Sequence, residues 1–513
     1  MIQTHALPTP PTPRPFAQQH AERTSMWISE ASQRMSDSLQ QPYSYQYREA
    51  REPDPHRLPG WRDVTAAEWN CVQWQRTHCV KNIGQLRALT GNLLSDSFFA
   101  DLERDQKERA TMSLLITPHM INTVAPDAPP RGPGSLTDAF YADPVRRYML
   151  PVFSDRRTDF PSHPYAQRDS LHERNMWAVE GLVHRYPAKV LAELVATCPQ
   201  YCGHCTRMDL VGNSTPSVTK TRFVLTPQAR FQAMIDYLRR TPNVRDVVVS
   251  GGDLANLPWP RVESFVEALL DIASVRDIRL ASKGLVGLPQ HWTDGQVLAG
   301  IERLTSTARS RGVQIALHTH ANAAQQITAS VSRASRLLME AGLREVRNQA
   351  VLLRTVNDTS AALLDLCFAL LDSAGIVPYY FYMCDMIPNS EHWRTSVAEA
   401  QELQHAIMGY LPGFATPRIV CDVPMVGKRW VDQVSDYDRL RGISYWSKNY
   451  RTILDQGQRD DLTQLHEYYD PIYTLPADGQ RWWRSHASVV ASTGCARTAP
   501  AECQPSGGCL GDA

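Results

Sequence analysis

The sequence predicts an α/β fold built on a parallel β-sheet, and two observations support this prediction. From about Val190 onward, short apolar runs alternate with amphipathic stretches of ten to fifteen residues, which is the pattern of βα units. The chain is also long enough for a large core, with 513 residues of which 43% are hydrophobic. In such folds the functional residues lie at the carboxyl ends of the strands.

The predicted strands are spaced regularly along the chain. They are Val190–Thr197, Val247–Ser250, Ile278–Ala281, Val313–His318, Val346–Leu353 and Val377–Met383. The predicted helices between them are one that begins at Thr226-Pro227, with proline at the first helical position, and three near Trp259–Ala273, Ser332–Ala341 and Ser360–Ala374. Such units could close into a partial barrel or form an open doubly wound sheet, and periodicity alone does not choose between the two.

The segments on either side of this core differ in composition. Nine of the 35 prolines lie within residues 1–60, which predicts an extended, disordered tail. Thr65-Ala-Ala-Glu68 is a capping-box pattern that opens a helix with Trp69 and Trp74. The predicted organisation is a proline-rich tail (1–60), a helical wrapping segment (61–180), the α/β core (181–430), a C-terminal extension (431–486) and a second disordered tail (487–513).

Charge and cysteine usage exclude several classes of protein. Lys+Arg and Asp+Glu number 53 each, and this balance argues against binding to nucleic acid or to an anionic membrane. Residues 1–30 contain no signal-peptide pattern, and no long stretch is both apolar and uncharged. The eleven cysteines are an odd number spread over a long chain, unlike a disulfide scaffold. We therefore expect a soluble cytoplasmic enzyme with neither a nucleic-acid nor a membrane partner.

Three cysteines follow the first predicted strand with the spacing C-x-x-x-C-x-x-C. Cys198, Cys202 and Cys205 lie on one short loop, so their thiols can converge on a single point. This arrangement suits a [4Fe–4S] cluster with three irons held and one left open. A structural zinc site with His204 or a remote fourth ligand is the alternative, although zinc usually draws on paired C-x-x-C hooks and no second hook is present. The spacing resembles that of radical S-adenosylmethionine (SAM) enzymes.

A second motif, Ser250-Gly251-Gly252-Asp253, follows the second predicted strand. Its glycines would let the backbone approach a ligand closely, and its aspartate can accept hydrogen bonds from an ammonium group. Taken alone it could be a tight strand-to-helix turn. One βα unit after the cysteine loop, it resembles the radical SAM motif that binds the methionyl amine of SAM.

Further motifs together resemble the lysine 2,3-aminomutase family over roughly residues 65–475, in the same order and with similar spacing. They are His184-Arg185-Tyr186-Pro187, Cys205-Thr206-Arg207, the run from Asn348-Gln349 to Asn357-Asp358, the run from Tyr379 to Asp385, the run from Glu391 to Thr395, and the run from Asp422 to Gly427-Lys428. The resemblance implies a partial (β/α)6 barrel with a [4Fe–4S] cluster, SAM and pyridoxal 5′-phosphate (PLP) as cofactors.

The resemblance also assigns roles to residues. Cys198, Cys202 and Cys205 match the cluster ligands, and the positions that match SAM-binding residues are Ser250, Gly251, Gly252, Asp253, His318 and Gln349. Lys428 matches the lysine that binds PLP covalently, a role that suits a lowered pKa, and Arg185 and Tyr186 match residues beside PLP. Arg207 matches the arginine that pairs with the substrate carboxylate, and Asp385 and Asp422 match the carboxylates that hold the distal ammonium of lysine.

The implied activity is that of an isomerase that moves the α-amino group of a basic L-amino acid to C3, with lysine ahead of arginine and ornithine. The implied partners are an electron donor such as flavodoxin or ferredoxin and further copies of the chain in a homo-oligomer. Two alternatives remain open from the residues. One is a radical SAM enzyme that performs dehydrogenation, epimerisation or deamination on an amino acid, and the other is a non-enzymatic metal-binding protein.

The chain departs from the family pattern at several of these motifs. The glycine-rich run before the lysine is here Pro424-Met425-Val426-Gly427, so only the last glycine is kept. Ser282-Lys283-Gly284 stands where Ser-Arg-Thr is usual, Lys189 replaces an arginine, and Asn-Thr-His becomes His318-Thr319-His320. These changes could reshape the PLP phosphate cup and the substrate pocket, and the lost glycines are the best support for the first alternative.

Overall fold

The computed structural model describes residues 42–451 and 462–493. Residues 1–41 of the predicted tail 1–60 and residues 494–513 of the predicted tail 487–513 therefore lie outside the described residues. The chain divides into two units, residues 1–47 and residues 48–513. The described part of the first unit, 42–47, contains neither helix nor strand. All elements named below belong to the second unit. No helix within the described ranges combines the length and the apolar character needed to cross a lipid bilayer.

A single large sheet organises the second unit, and in the described residues it has ten strands that neighbour one another in sequence order. The strands are β1 Trp177–Val179, β2 Leu182–Tyr186, β3 Lys189–Val195, β4 Asp246–Gly251, β5 Asp277–Ala281, β6 Gln314–Thr319, β7 Val346–Leu352, β8 Val377–Met383, β9 Arg418–Val423 and β10 Gly427–Trp430. Strands β3 to β9 pair in parallel, and β1, β2 and β10 are antiparallel additions at the two edges.

The sheet curls into a partial barrel. A doubly wound sheet reverses its strand order at a switch point, whereas this order runs without reversal from β1 to β10. Arg185 on β2 donates a 2.7 Å hydrogen bond to Asp422 on β9, and the Lys428 N–H on β10 donates to the Tyr186 hydroxyl at 3.1 Å. Strands near opposite edges can meet in this way only if the sheet bends round on itself. The predicted α/β fold with a partial barrel is therefore confirmed.

All six predicted strands are present as β3 to β8, each within two residues of its predicted limits. The sequence did not predict β9, a seventh parallel strand that carries Asp422. It also did not predict the antiparallel strands β1, β2 and β10, which are short and lack the apolar runs of the core strands. These missed strands matter because β2, β9 and β10 supply Arg185, Asp422 and Lys428.

Helices cover the parallel strands on their outer side, as expected for βα units. The α-helices of this part are Pro227–Arg239, Trp259–Leu270, Gly284–Gly287, Pro289–Trp292, Gly295–Ser310, Ala329–Glu340, Ser360–Ala374 and Val397–Ile407. The helix predicted at Thr226-Pro227 begins at Pro227, and the Thr226 hydroxyl accepts from the Ala229 N–H. Helix Ser360–Ala374 has its predicted limits, whereas helix Gly295–Ser310 was not predicted.

The N-terminal wrapping segment consists of short helices. They are Ala66–Trp69, Val72–Thr77, Ile83–Thr90, Asp96–Glu108, Pro118–Asn122, Thr137–Ala142 and Pro144–Met149. The predicted capping box at Thr65 and Glu68 is present, with both reciprocal hydrogen bonds formed. Trp69 and Trp74 lie on two helices rather than on one, because helix Ala66–Trp69 ends there and the next begins at Val72. Leu58 and Trp61 are already buried, so packed structure begins before the predicted boundary at residue 60.

Irregular and C-terminal elements complete the unit. The 3₁₀ turns are Pro55–Arg57, Pro59–Trp61, Phe153–Asp155, Arg174–Met176, Leu254–Asn256, Ala324–Gln326, Glu391–Trp393, Gly413–Ala415, Val431–Gln433 and Ile472–Thr474. A small antiparallel sheet contains β11 Asp436–Asp438, β12 Ile443–Trp446 and β13 His466–Tyr469. The following helix, Ala477–Thr493, runs past the boundary predicted at residue 487.

Candidate active site

A cavity of about 380 Å³ lies inside the curl of the large sheet, and every predicted site residue lines it. These residues are Arg185, Tyr186, Cys198, Cys202, Cys205, Arg207, Ser250, Gly251, Gly252, Asp253, His318, Gln349, Asp385, Asp422 and Lys428. They come from strands β2, β4, β6, β7, β9 and β10 and from the loops that follow β3, β4 and β8. The structure therefore brings together residues that are spread over more than two hundred positions of the sequence.

The cysteine loop leaves β3 and forms one wall of the cavity. Cys198, Cys202 and Cys205 are free thiols, and each is partly buried. Behind them lies an apolar cluster that includes Met112, Tyr201, Met208, Val211, Val218 and Ile387. Burial raises the pKa of Cys205 to about 12 and also raises the pKa of Cys198 and Cys202, so a bound metal would favour the thiolate forms of all three. Three sulfur donors on one loop, with an apolar backing and an open side, fit a [4Fe–4S] cluster.

The predicted zinc alternative involves a different geometry. Among residues 42–451 and 462–493, no three His, Cys, Asp or Glu side chains are placed to hold one metal ion. A cluster binds each thiolate through a different iron atom, so its ligands stand farther apart than those of a single ion. His204, the possible fourth ligand, is buried within the same loop, and its ring lies 5.4 Å from that of His320.

Two glycines of the Ser250–Asp253 motif are required by close packing at the end of β4. Gly251 has φ +120°, and a Cβ there would lie 2.3 Å from the Val195 carbonyl oxygen. A Cβ on Gly252 would lie 2.3 Å from the Thr197 carbonyl oxygen. No side chain fits at either position, so the glycines let the β4 turn lie directly against the chain that leads into the cysteine loop.

Asp253 has a different environment from the one expected. Its carboxylate accepts hydrogen bonds from the Ala255 N–H at 2.9 Å, the Ser282 hydroxyl at 2.5 Å and the Gly284 N–H at 2.9 Å. These bonds fasten the turn after β4 to the turn after β5. Three protein donors leave about one of the four acceptor sites of a carboxylate free. Asp253 thus shapes the loop at this wall of the cavity, and its role as an acceptor for a ligand ammonium stays a prediction.

Two departures from the family pattern lie on the same side of the cavity. The His318 ring lies 2.8 Å from the Gln349 amide nitrogen, and burial lowers the pKa of His318 to about 3, so the ring is neutral. Lys283 donates a 3.2 Å hydrogen bond to the His320 carbonyl and lies 5.0 Å from the Tyr148 ring centre. The charge of Lys283 acts on Cys202, which places this lysine beside the cysteine loop.

Lys428 lies directly opposite Asp422 in the β9–β10 ladder. Its Nζ is 3.2 Å from Asp422 Oδ2, and its side chain is 39% exposed because it faces the cavity. Burial lowers the pKa of Lys428, but the Asp422 carboxylate, with Tyr186 and Tyr382, outweighs this effect and holds that pKa well above its usual value. The expectation of a lowered pKa is thus wrong for the chain without cofactor, because an anion lies on the neighbouring strand.

Arg185 and Tyr186 support the loop that joins β9 to β10. Arg185 donates to Asp422 at 2.7 Å and to the Val423 carbonyl at 2.9 Å. Within that loop Met425 has φ +64°, a left-handed conformation that glycine adopts more easily. Gly427 has φ +101°, and a Cβ there would lie 2.3 Å from the Tyr450 hydroxyl. The glycine that the chain keeps is therefore the one that aromatic rings crowd.

The two predicted substrate aspartates differ in their surroundings. Asp422 is already paired, through Oδ1 with Arg185 and through Oδ2 with Lys428. Asp385 has no hydrogen-bond donor at its carboxylate among the residues described, and burial together with the charges of Asp422 and Glu173 raises its pKa to about 8. Of these two aspartates, Asp385 is thus the one whose carboxylate is available to a ligand in the protein without cofactors.

Arg207 also differs from the prediction, because two carboxylates already lie against it. Its Nε is 2.9 Å from Glu173 Oε2 and 3.1 Å from Glu193 Oε1, and its Nη2 is 3.2 Å from Glu173 Oε1. The sequence analysis singled out neither glutamate. For Glu193 a signal was present, since it is a lone acid within the otherwise largely apolar strand Lys189–Val195.

Comparison with known proteins gives a consistent picture. The chain is 30% identical over 369 residues to the L-lysine 2,3-aminomutase of Clostridium subterminale, covering 71% of this chain and 78% of that protein. It is 30% identical over 364 residues to the L-lysine 2,3-aminomutase of Bacillus subtilis, covering 71% and 69%. The glutamate 2,3-aminomutase of Clostridioides difficile is 25% identical over 388 residues, covering 74% and 81%. No protein-family model matches the chain. On the strength of its relatives, the chain belongs to the lysine 2,3-aminomutase family, whose members are isomerases.

Proposed function

We propose that the protein is a radical SAM, PLP-dependent 2,3-aminomutase that moves the α-amino group of a basic L-amino acid to C3. The observation that carries the proposal is the single cavity described above. It joins the three-thiol loop to Lys428 and to charged groups of both signs. A radical enzyme needs such a shared chamber, because the group that starts the reaction must reach a substrate held beside the second cofactor.

The cavity walls suggest which residues hold each cofactor. Cys198, Cys202 and Cys205 would ligate the cluster. The residues that would hold SAM are Ser250, Gly251, Gly252, Asp253, His318 and Gln349. Lys428 would bind PLP covalently, with Arg185 and Tyr186 next to it. When bound, the cluster and SAM supply the radical that removes a hydrogen atom from the substrate β-carbon, and PLP carries the migrating nitrogen.

The chain's own residues orient the substrate. Arg207 can donate two parallel hydrogen bonds to the α-carboxylate, and Asp385 can accept hydrogen bonds from a distal cation. A cation beside Asp385 would favour its ionised form, so a basic side chain suits this pole, while Asp422 stays paired with Arg185 and Lys428 and an acidic side chain would find no cation at Asp385. Lysine stands ahead of arginine and ornithine as the substrate, by similarity to the family.

The loop before Lys428 bears on the alternative of other radical chemistry. That alternative, a dehydrogenase, epimerase or deaminase, drew its support from the lost glycines at Met425 and Val426. In the structure Met425 itself takes the left-handed conformation, so the turn forms without a glycine at that position. Lys428 also faces the cavity beside Asp422. Because the turn forms and Lys428 lies at the cavity, aminomutase chemistry is favoured over the alternative.

The test is anaerobic reconstitution with iron, sulfide, SAM, PLP and a chemical reductant, followed by incubation with lysine, arginine, ornithine or glutamate. We expect the β-isomer of one basic amino acid, identified by NMR and mass spectrometry. Release of ammonia, a dehydrogenated product or an epimer would instead support the alternative. Glutamate turnover equal to that of the best basic amino acid would contradict the proposal that Asp385 selects a basic side chain.

We further propose a flavodoxin- or ferredoxin-type electron donor, a cytoplasmic location and assembly as a homo-oligomer. The odd number of cysteines, eleven spread over a long chain, supports the location, because it is unlike the disulfide scaffolds of oxidising compartments. Resemblance to the family supports the donor and the assembly. Reduction of the reconstituted cluster by each donor protein, and sedimentation of the purified enzyme, test the last two.

A further inference from the structure

Glu193 lies behind Arg207 on the side away from the cavity. It is on β3, its side chain is 2% exposed, and it is not part of the cavity lining. Its Oε2 accepts a 2.9 Å hydrogen bond from the Trp177 indole N–H on β1, while its Oε1 lies 3.1 Å from Arg207 Nε. Both oxygens are therefore engaged, one by a neighbouring strand and one by the guanidinium.

Glu173 approaches the same guanidinium from the cavity side. It contacts Nε and Nη2, lines the cavity and is 17% exposed. It belongs to the segment between the wrapping helices and β1, where the preceding residue, His172, has φ +55°. Glu193 lies on β3, which pairs with β2 on one side and β4 on the other, and is therefore the more firmly placed of the two acids.

These contacts leave one part of Arg207 available. Among the residues described, Arg207 donates hydrogen bonds from Nε and Nη2, and none is found from Nη1. A guanidinium has five N–H donors in a fixed plane, so Nη1 with the second hydrogen of Nη2 forms an edge suited to a bidentate carboxylate. A fork of this kind recognises a carboxylate only if its plane is held in the right orientation.

We infer that Glu193 is a positioning residue that, anchored by Trp177, fixes the Arg207 guanidinium so that its free edge receives the α-carboxylate of the substrate. This inference rests on the proposed function. Glu193 does not touch the substrate and acts through Arg207. Its charge works against the substrate carboxylate from the far side of the guanidinium, but burial raises the pKa of Glu193 to about 8, which weakens that repulsion at neutral pH. Orientation is therefore the larger effect.

The test compares each basic amino acid with its α-carboxamide, which keeps the side chain and the amino group but lacks the carboxylate. Dissociation constants for lysine, lysinamide, arginine and argininamide are measured by calorimetry on the protein reconstituted with cluster, SAM and PLP. In Glu193→Leu we expect the preference for the carboxylate over the carboxamide to fall by about tenfold, as loss of an oriented charge-assisted bond implies. Binding of the carboxamides should stay within about twofold of wild type.

Three further variants sharpen the result. Glu193→Gln keeps one acceptor, so its preference for the carboxylate over the carboxamide should fall by only about threefold. Trp177→Phe removes the hydrogen bond to the Glu193 carboxylate and should also lower this preference. The matched control is Glu263→Leu, because Glu263 forms an equivalent 2.7 Å pair with Arg303 on the outer helices and is remote from the cavity lining. That control should leave the preference unchanged.

The outcomes separate the inference from the proposed function. An unchanged or increased carboxylate preference in Glu193→Leu, with the cluster and PLP retained, would overturn the positioning role. If that variant does not fold, the same ratio measured in Glu193→Gln and Trp177→Phe decides the question. If wild type binds no basic amino acid, the proposed function fails, and the positioning role fails with it.

Discussion

Replacing Asp422 with asparagine would remove a charge that two cations share. Asp422 lies 2.7 Å from the Arg185 guanidinium and 3.2 Å from Lys428 Nζ. The Asp422 and Arg185 side chains are each 5% exposed, whereas Lys428 is 39% exposed toward the cavity. In the Asp422→Asn variant, Arg185 stays buried with only the Val423 carbonyl and a neutral amide as acceptors. Lys428 can adapt by losing its proton.

The expected loss of stability follows from these exposures. Removing one partner of a buried ion pair costs about 3–5 kcal/mol, because the other charge remains buried without compensation. The Lys428 side of the pair contributes little, since solvent in the cavity screens it. We therefore expect a decrease of about 3 kcal/mol in the free energy of unfolding at pH 7, which arises chiefly from Arg185.

The loss of folding stability in Asp422→Asn should depend on pH. The positive charges of Arg185 and Lys428 outweigh burial and lower the pKa of Asp422 in the folded protein. A carboxylate with a depressed folded pKa stabilises the fold above its unfolded pKa of about 3.9, and this contribution is lost as pH falls through the folded value. The difference in the free energy of unfolding between wild type and variant should thus be largest at neutral pH and should decrease below about pH 4.

The same change should alter Lys428. Burial lowers its pKa and Asp422 is the largest influence that raises it, so the variant should have a lower Lys428 pKa. PLP reacts with the unprotonated amine, so the pH midpoint of PLP incorporation, read after borohydride reduction, should move to lower pH. Denaturant unfolding at pH 7 and pH 3 gives the stability difference.

Asp105→Asn is the matched control, because Asp105 is a buried aspartate that holds Arg156 by two hydrogen bonds of 2.7 and 2.9 Å away from the cavity lining. It should reduce stability comparably and leave the PLP midpoint unchanged. If Asp422→Asn unfolded at the same denaturant concentration as wild type, the stabilising role of the Asp422–Arg185 ion pair would be refuted. A rise in the pH midpoint of PLP incorporation would refute the effect of Asp422 on Lys428.

Three further changes test the site. Cys202→Ala should abolish the visible absorption of the reconstituted cluster and the formation of 5′-deoxyadenosine, because two thiolates cannot hold it, and a wild-type cluster content would contradict the assignment. Lys428→Ala should lose borohydride-trappable PLP while keeping the cluster; retained PLP would point to another lysine, with Lys283 the next candidate. Met425→Gly should raise the free energy of unfolding by up to about 1 kcal/mol, and the denaturant midpoint with it, since a left-handed side-chain residue costs about 1–2 kcal/mol and the greater unfolded-state entropy of glycine offsets part of the gain. A lower midpoint for Met425→Gly would show that the methionine side chain contributes more than its backbone costs.

The parallel core could be predicted from the sequence because its signal is local. Runs such as Val247–Ser250 and Val346–Leu353 are apolar, are bounded by turn residues and alternate with helical stretches, so each strand can be recognised within its own few residues. Strand β9 was not predicted, because the run Arg418–Val423 begins with a charged residue and is interrupted by Asp422, the aspartate of the site, one residue before its end. The cysteine loop could be predicted for the same local reason, as its three donors lie within eight residues.

The state of each charged side chain could not be predicted in this way. Arg207 and Glu173 are 34 residues apart, and Arg185 and Asp422 are 237 apart, so their pairing depends on how the sheet curls. From the sequence, Asp422 was predicted to hold a substrate ammonium, and Lys428 was expected to have a lowered pKa. The β9–β10 ladder places them side by side, and each then changes the ionisation of the other.

The contact between β2 and β9 also sets an order of events during synthesis. The ribosome completes the Cys198–Cys205 loop long before it adds Asp422 and Lys428, so a nascent chain carries three thiols without the strands that later enclose them. Arg185 meets its counter-ion only after 237 further residues have been made. Such a distant contact forms late, because closing a long loop costs entropy before any contact offsets it. We therefore expect PLP to be taken up only by the finished chain.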